Sequence, residues 1–281
     1  MHRLDRLFHE SRPNAGPSRQ LPSLRLLPTF LGAVAAIAMA AVPASAEQKS
    51  FLDEFDTLDE SRWFVSDGWN NGDHQGCMWT ADSVTPVDGF LRLSLAPRPA
   101  GDRGFSCGEI QTREFFRYGV YEVRMRAVSS PGTVSAFFTY TGPVHENPWD
   151  EVDIEVLGKD TTQAQLNIYV DGEGGHEKLI DLGFDSAEDM NDYAFVWEED
   201  ALRWYVNGEL VREMTSDEQT LPSVASKIYL SVWNGQGADM EAWLGPFEPP
   251  GGPMNLDVAR VAYTAPGDAC QFPESIVCAK E

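Results

Sequence analysis

The sequence predicts an all-β sandwich, and three observations lead to this fold class. Short runs of alternating apolar and polar residues recur between turn signals, at Phe90–Leu95, Gly119–Arg126 and 165–170. This alternation is the pattern of half-buried strands. The dipeptide Asn207-Gly208 lies in the middle of the run 204–211, which favours a type I′ hairpin. Helical periodicity is nearly absent, and only 186–190 is expected to form one helical turn. Many short strands between turns indicate a sandwich or barrel, and we predict a sandwich.

The first 46 residues predict a secretory signal peptide. Five arginines precede the apolar run 31–42, which is followed by Pro43-Ala44-Ser45-Ala46. A basic segment, a short apolar segment and a small-residue cleavage site are the parts of such a peptide. The apolar run is too short to span a membrane, and no later run reaches about 18 apolar residues. We therefore expect residues 47–281 to be exported and free of the membrane, although the long basic segment leaves open a start codon nearer the apolar run.

The composition of residues 47–281 indicates one acidic domain. Without residues 1–46 the chain has 16 Lys and Arg against 42 Asp and Glu, a formal charge of −26. This charge repels nucleic acids and anionic membranes, so neither is an expected partner. The length suits a single all-β domain, and neither a linker nor an internal repeat divides it. We expect a monomer.

The segment Trp149-Asp-Glu-Val-Asp-Ile-Glu155 is the expected active site. In a strand, Glu151, Asp153 and Glu155 share one face, and the apolar residues between them share the other. Carboxylates this close raise one another's pKa. Glycoside hydrolysis uses neighbouring carboxyl groups of this kind, because one carboxylate attacks the sugar while a second carboxyl group stays protonated. The competing interpretation is a solvated acidic edge strand.

Strand geometry sets a condition on this hypothesis. Residues four apart on a strand have Cα atoms about 13 Å apart. The two carboxyl groups of a retaining glycosidase lie about 5–5.5 Å apart. Glu151 and Glu155 therefore have to lean towards each other, which requires a concave strand.

Eight tryptophans lie in the predicted mature chain. Trp63, Trp197 and Trp204 are expected in the sandwich core. Trp149, Trp233 and Trp243 stand beside polar motifs and favour a carbohydrate groove, because aromatic rings stack on the apolar faces of sugars.

Three polar residues near the acidic strand are assigned no catalytic role. His145 and His176 are expected to be structural, because two carboxylates already cover the proton transfers. Asp150 points away from Glu151 and is expected to be a strand-end residue.

Four cysteines in an exported chain indicate disulfides and allow three pairings. The pairing Cys77–Cys107 with Cys270–Cys278 is the most economical, because the last two cysteines bracket a short tail. Residues 268–278 are therefore expected to form a stapled loop. Metal binding by these cysteines is not expected, since no C-x-x-C spacing supports it.

Longer motifs resemble a known family. The run 149–162 strongly resembles the active-site strand of glycoside hydrolase family 16, in its lichenase-like branch. The flanking runs 135–143, 174–178, 233–235 and 243–245 agree with this resemblance, which extends from Phe51 to about Thr264. The runs 66–72, 107–112 and 270–278 are similar to those of exopolysaccharide glycanases from succinoglycan-producing rhizobia.

The resemblance implies a concanavalin-like jelly roll of two curved antiparallel sheets, with glycan lying across the concave face. It implies that Glu151 is the nucleophile and Glu155 the general acid/base, and that Asp153 hydrogen-bonds the nucleophile and tunes both pKa values. The reaction would proceed with retention. The spacing lacks the extra bulge residue of laminarinase-like members. This difference favours mixed-linkage or related β-glucans over pure β-1,3-glucan.

The resemblance also implies a set of groove residues. They are Asn71, Glu109, Phe138, Tyr140, Trp149, Asn167, Tyr169 and Trp233. Gln111 stands where lichenases typically have Arg, and Ser231 where they have Asn. These two departures predict a specificity other than strict lichenan cleavage.

Two further features follow from the resemblance. It supports the Cys77–Cys107 disulfide. It implies one structural Ca²⁺ bound through carbonyls and one Asp, with Glu54, Gly89 and Asp257 at those positions and only Asp257 offering a side-chain ligand. It implies no cofactor for catalysis.

The sequence therefore predicts a secreted endo-β-glycanase that acts on β-1,3/1,4-linked glucan or a succinoglycan-type exopolysaccharide. A general lichenase on plant mixed-linkage β-glucan is the first alternative. A transglycosylase would share every catalytic residue, and a lectin-like module would share the fold. Such a module is expected to have lost one of the acids, whereas all three are present.

Overall fold

A computed structural model describes residues 49–280, which form two eight-stranded sheets around one core. The predicted signal peptide, residues 1–46, lies outside the described residues. Between residues 49 and 280, no helix is long and apolar enough to cross a membrane. The predicted jelly-roll sandwich of antiparallel sheets is confirmed, with one parallel strand pair as an exception.

The first sheet has the strand order β14-β13-β12-β7-β16-β5-β4, with β1 also paired to β16. Its strands are β1 (Phe51–Asp53), β4 (Val84–Val87), β5 (Phe90–Leu95), β7 (Gly119–Arg126), β12 (Asn191–Trp197), β13 (Ala201–Val206), β14 (Glu209–Thr215) and β16 (Met254–Thr264).

The second sheet has the order β11-β10-β9-β8-β15-β6-β2, and β3 runs parallel to β6. Its strands are β2 (Trp63–Val65), β3 (Cys77–Trp79), β6 (Phe105–Thr112), β8 (Thr133–Thr141), β9 (Asp150–Leu157), β10 (Gln163–Tyr169), β11 (Lys178–Asp181) and β15 (Lys227–Asn234). The acidic segment is thus strand β9. It lies inside this sheet rather than at an edge, which excludes the interpretation as an acidic edge strand.

The core lies between the sheets and contains the apolar half of each alternating strand. Val152 and Ile154 of β9 are almost completely buried, so the carboxylates between them point to the outer face of the second sheet. Trp63, Trp197 and Trp204 are fully buried, as predicted. The indole Nε1 of Trp204 donates to the backbone oxygen of Asp153 at 3.2 Å. The core therefore supports β9 directly beneath its middle carboxylate.

Most local predictions agree with the structure. Strands β5 and β7 have the predicted bounds. Asn207 and Gly208 have φ angles of 47° and 83° and join β13 to β14, as a type I′ turn requires. Residues 186–190 form turns rather than the expected helical turn. The short helix α1 (Ala238–Leu244) was not predicted.

Both expected disulfides are present. Cys77 on β3 is joined to Cys107 on β6, with Cα atoms 5.8 Å apart. Cys270 is joined to Cys278 and closes the C-terminal tail, which forms no strand after Thr264. The buried Glu122 of β7 holds this tail, because its carboxylate accepts hydrogen bonds from Ser275 Oγ at 2.7 Å and Ile276 N at 2.9 Å.

The predicted Ca²⁺ ligands do not fit a calcium site. The carboxylate of Asp257 is buried and already engaged by two cations. Arg92 donates to its two oxygens at 2.7 and 3.0 Å, and Arg126 donates at 2.7 Å. Calcium at this carboxylate would have to replace these guanidinium groups.

The strand register separates the three residues as well. Asp257 pairs with Arg92, whereas the extensions of β1 and β5 place Glu54 and Gly89 at the level of Arg260. Three residues along a strand correspond to about 10 Å. Asp257 is therefore a structural ion-pair residue between β5, β7 and β16, and its carboxylate does not fit the predicted calcium site.

Candidate active site

The outer face of the second sheet carries the acidic triplet between two strands in close register. Strand β9 pairs with β8 and β10 without a register shift. Residues opposite one another on neighbouring strands have side chains about 4.5–5.5 Å apart. The pairings therefore place the predicted site residues in rows that cross the sheet.

Three such rows contain the triplet, and each row ends at β10. The first row starts at β15 and consists of Lys227, Tyr140, Glu151 and Tyr169. The other two start at β6: the second consists of Gln111, Tyr229, Phe138, Asp153 and Asn167, and the third of Glu109, Ser231, Ala136, Glu155 and Gln165. One carboxylate of the triplet lies in each row. Most of the residues predicted from separate parts of the chain thus meet on one face.

Glu151 is held as a hydrogen-bond acceptor. The indole Nε1 of Trp149 donates to Glu151 Oε2 at 2.6 Å. Burial raises the pKa of Glu151 to about 7, while the hydrogen bonds from Trp149 and Asp153 oppose this shift. Donors that point at a carboxylate favour its ionised form. Glu151 is therefore ready to act as an anion at a pH slightly above neutral.

Asp153 is almost completely buried between the two glutamates. Burial, and then the charges of Glu151 and Glu155, hold its pKa well above the usual range. It consequently keeps its proton and donates a hydrogen bond to Glu151. A neutral acid at this position lets two flanking carboxylates approach each other without three adjacent charges.

Glu155 has the higher pKa of the two glutamates. Burial and the charge of Glu151 raise it to about 8, and a hydrogen bond from Gln165 opposes the shift. Gln165 Nε2 donates to Glu155 Oε2 at 3.1 Å, while Gln165 Oε1 accepts from Trp243 Nε1 at 3.1 Å. Between these two pKa values, slightly above neutral pH, the pair thus divides into a mainly anionic Glu151 and a mainly protonated Glu155. This is the division that acid/base assignments require.

Aromatic rings flank the Glu151 end of the triplet. Trp149 stacks on Tyr169 with ring centroids 4.7 Å apart and an interplanar angle of 12°. Tyr140 meets Trp149 edge-on at 6.1 Å, and burial together with the charge of Glu151 raises the pKa of Tyr140 to about 12. Phe138 stacks on Tyr229 at 4.9 Å in the next row. These rings give the face apolar surfaces suited to sugar rings.

Two buried polar residues extend the site on either side. Glu109 accepts from Ser66 Oγ at 2.6 Å, and burial raises its pKa to about 7. Asn167 is nearly buried, yet its Oδ1 has no hydrogen-bond partner in the structure. A buried acceptor without a partner is unfavourable by about 1–3 kcal/mol. A donor such as a sugar hydroxyl would remove this cost.

Gln111 lies at the end of the second row and is already bonded to protein groups. Its Oε1 accepts from Lys227 Nζ at 3.1 Å and from the Tyr229 hydroxyl at 3.2 Å. His145 Nε2 lies 3.0 Å from the same hydroxyl, in a structural position as expected. Gln111 therefore presents less free hydrogen-bonding capacity than an arginine would.

Two predicted groove residues lie apart from the three rows. Asn71 is exposed on the loop between β2 and β3, where its Oδ1 accepts from Trp79 Nε1 at 3.3 Å. Trp233 lies one row beyond Ser231 and packs against Trp243 at 6.1 Å. Neither residue belongs to a row that contains one of the three carboxylates.

Asp150 has a supporting role that the sequence assigned only in part. It is the first residue of β9 and is buried. Its Oδ2 accepts from the backbone N–H groups of Ser223 and Val224, at 2.6 and 2.9 Å, and its Oδ1 accepts from Asp171 N at 3.1 Å. Asp150 thus fixes two loops beside Trp149.

Sequence reasoning missed Gln165, Ser66, Tyr229 and Lys227. Gln165 has the same alternation as Asn167 and Tyr169 on one strand, so extending that alternation by two residues would have found it. The other three contact the site through strand neighbours that are distant in sequence. No local pattern indicates those contacts.

The chain is similar to known proteins of one family. The model of the family "Glycosyl hydrolases family 16" matches residues 71–248. The endo-1,3-1,4-beta-glycanase ExoK of Rhizobium meliloti (strain 1021) is 51% identical over 234 residues, covering 83% of this chain and 85% of that protein. A beta-glucanase of Bacillus subtilis (strain 168) is 44% identical over 199 residues, covering 70% and 79%.

A solved structure extends these matches to the whole sandwich. The beta-glucanase of Bacillus licheniformis superposes with a TM-score of 0.73 at 40% identity, covering 78% of this chain and 99% of that one. On the family match and on these identities, the chain belongs to glycoside hydrolase family 16 and is a glycoside hydrolase.

Proposed function

We propose that the protein is a secreted endo-β-glycanase that hydrolyses β-1,3/1,4-linked glucan by a retaining double displacement. One observation carries this proposal. Glu151, Asp153 and Glu155 lie in successive rows of one sheet face, with Glu151 hydrogen-bonded as an acceptor and Glu155 holding the higher pKa. Two carboxyl groups in different protonation states are what this chemistry needs.

In the first step, Glu151 attacks the anomeric carbon while Glu155 gives its proton to the leaving glycosidic oxygen. A covalent glycosyl-enzyme forms, and one part of the glycan departs with a new hydroxyl group. In the second step, Glu155 accepts a proton from water, which attacks the same carbon and releases Glu151. Two inversions give net retention, and the carboxyl groups supply both nucleophile and proton without a cofactor.

The role of Asp153 follows from its proton. A hydrogen bond from a neutral Asp153 to Glu151 stabilises the anion before attack. When Glu151 becomes an ester its negative charge is lost, and the interaction weakens. Asp153 therefore acts on the nucleophile and needs no direct contact with the sugar.

The proposed substrate is an internal segment of a mixed-linkage β-glucan or of a succinoglycan-type exopolysaccharide. The site face combines aromatic rings with buried polar groups, which suits sugar rings with many hydroxyl groups. The name of one relative, an endo-1,3-1,4-beta-glycanase, points to 1,3-1,4-linked glycans. The regular pairing of β9 on both sides favours mixed linkage on the argument given for the unbulged motif.

Export of a single-domain monomer is part of the proposal. The proposed signal peptide is residues 1–46, and residues 47–281 form the mature enzyme. Two disulfides and the absence of free cysteines among the described residues suit an oxidising location outside the cytoplasm.

The proposed roles are tested by exchanging each glutamate. Glu151→Gln and Glu155→Gln are each expected to abolish hydrolysis while the melting temperature stays near that of the native protein. For Glu151→Ala, added azide is expected to restore turnover with an inverted product, because the small anion occupies the position of the missing carboxylate. Normal activity in either Gln variant would contradict the assignment.

Substrate and acceptor are tested separately. Initial rates on succinoglycan, lichenan, barley β-glucan and laminarin rank the polymers, and an early fall in viscosity identifies endo cleavage. Fast cleavage of lichenan with none of succinoglycan would favour the general lichenase. Products analysed with and without excess acceptor sugar distinguish hydrolysis from transglycosylation.

A further inference from the structure

Lys227 is a cation on the outer face of the second sheet, in the same row as the proposed nucleophile. The pairings place Lys227 opposite Tyr140, and Tyr140 opposite Glu151. Neighbouring strands are about 4.8 Å apart, so Lys227 lies two strands, or about 10 Å, from Glu151 across the sheet. A glycan that crosses the strands over Glu151 would pass over Lys227.

The ammonium group has no carboxylate partner. None of the ion pairs among residues 49–280 includes Lys227. Its Nζ donates to the neutral Oε1 of Gln111 at 3.1 Å and lies 5.3 Å from the ring centroid of Phe115. It is also partly buried. A partly desolvated cation held only by neutral groups is available to an anion.

A second cation lies beside it. The β15–β6 register places Arg113 opposite Lys227, one residue beyond the end of β6. Burial first, and then the charge of Arg113, lowers the pKa of Lys227. Arg113 is exposed, and its Nε donates to the backbone oxygen of Glu60 at 2.7 Å. In a chain with a net charge of −23, two adjacent cations without an acid between them form an unusual positively charged patch.

We propose that Lys227, supported by Arg113, forms a subsite for a carboxylate-bearing substituent on the glucan chain. This inference rests on the proposed function and names the residues that would select an acidic over a neutral β-glucan. A carboxylate here would gain a charge-assisted hydrogen bond and would offset the repulsion between the two cations. It would also lie away from the carboxyl groups around Glu151, so the charged substituent and the cleaved bond would occupy different parts of the face.

The experiment compares one mixed-linkage β-glucan oligosaccharide preparation in two forms, neutral and with succinyl half-esters. Binding is measured by calorimetry in the Glu151→Gln background, so that turnover does not consume the ligand. The preference for the acidic form over the neutral form is the readout, because this ratio cancels any general loss of binding. Lys227→Met is expected to lower the ratio about tenfold.

Matched variants separate a subsite from a general charge effect. Lys227→Arg keeps the charge and is expected to keep the preference. Lys178→Met removes an equal charge from the exposed edge strand β11 of the same sheet and is expected to leave the ratio as it was. Raising the salt concentration from about 20 to 200 mM should narrow the difference between the two ligands.

Three results would overturn the proposal. The preference for the acidic oligosaccharide could be the same with Lys227 and with Lys227→Met, or Lys178→Met could reduce this preference as much as Lys227→Met does. The third result is that the protein binds neither oligosaccharide. Failure of the proposed function has a different signature. The native enzyme would then cleave neither glucan, while the binding ratio would still decide the role of Lys227.

Discussion

The hydrogen bond from Trp149 to Glu151 offers the sharpest test of how the site divides its protons. Trp149→Phe keeps an aromatic ring to stack on Tyr169 but removes the N–H that donates to Glu151 at 2.6 Å. A hydrogen bond to an ionised group contributes about 1.5–3 kcal/mol, and one pKa unit corresponds to about 1.4 kcal/mol. Loss of this donor should therefore raise the pKa of Glu151 by about 1–2 units.

The consequence appears in the pH dependence of kcat/KM. Catalysis needs ionised Glu151 and protonated Glu155, so the native profile should be a bell with limbs set by pKa values of about 7 and about 8. In the variant, the acidic limb should move up towards or past the alkaline limb. The fraction of enzyme in the productive protonation state at the optimum should then fall about threefold.

The assay is kcat/KM on mixed-linkage β-glucan between about pH 5 and 10. Tyr140→Phe is the matched control, because it changes the neighbouring ring in the same row without removing the indole donor of Trp149. Its acidic limb should not move upwards. A Trp149→Phe profile lowered by the same factor at every pH, with both limbs in place, would refute the reasoning. Trp149 would then act on the sugar and not on the nucleophile.

Three other perturbations have expected outcomes. Gln165→Leu removes the donor that lowers the pKa of Glu155, so the alkaline limb of kcat/KM should move to higher pH while the acidic limb stays. Cys77 and Cys107 are 30 residues apart. Reduction of their disulfide should lower the free energy of unfolding by about 3–4 kcal/mol in the chain-entropy model, and with it the melting temperature. Four reactive thiols in the untreated exported protein would contradict this. Asp257→Asn should lower the free energy of unfolding by about 2–3 kcal/mol in a denaturant titration. This loss is smaller than that expected for a fully buried ion pair, because both arginines are partly exposed. A chelator should not mimic it, and a large loss of stability with chelator would restore the calcium hypothesis.

Much of the fold and the centre of the site were predictable because a strand has a side-chain period of two. Alternation placed Glu151, Asp153 and Glu155 on one face and assigned the apolar residues between them to the core, and the structure has this arrangement. Asn207 and Gly208 were equally informative, because few residues tolerate the positive φ angles of a type I′ turn. Both signals are local, so a single sequence contains them.

Contacts between distant segments were not predictable in the same way. Strand β15 lies between β8 and β6, and only this order brings Lys227 and Tyr229 to Gln111. The calcium hypothesis met the same limit. It judged Asp257 by its residue type, whereas the arginines that neutralise it come from two other strands. The helix α1 is too short for its periodicity to show.

The protonation states of the site also bear on which polymer it accepts. This face has four acidic side chains, Glu109, Glu151, Asp153 and Glu155. If all four were ionised, they would repel an acidic glycan. Burial changes that count, since it raises the pKa values of Glu109 and Glu151 to about 7 and of Glu155 to about 8, and keeps Asp153 neutral. At pH 7 the four groups together carry about one negative charge.

The rest of the protein's negative charge acts on a glycan only weakly. Charges farther away than about 8–10 Å are screened at physiological salt, whereas the proposed subsite would place the ammonium of Lys227 in direct contact with the glycan. A bound glycan would therefore meet about one negative charge on the four carboxyl groups, and two cations at Lys227 and Arg113. A net charge of −23 consequently does not exclude an acidic polysaccharide, and the groups that would decide its binding are those within one Debye length of Glu151.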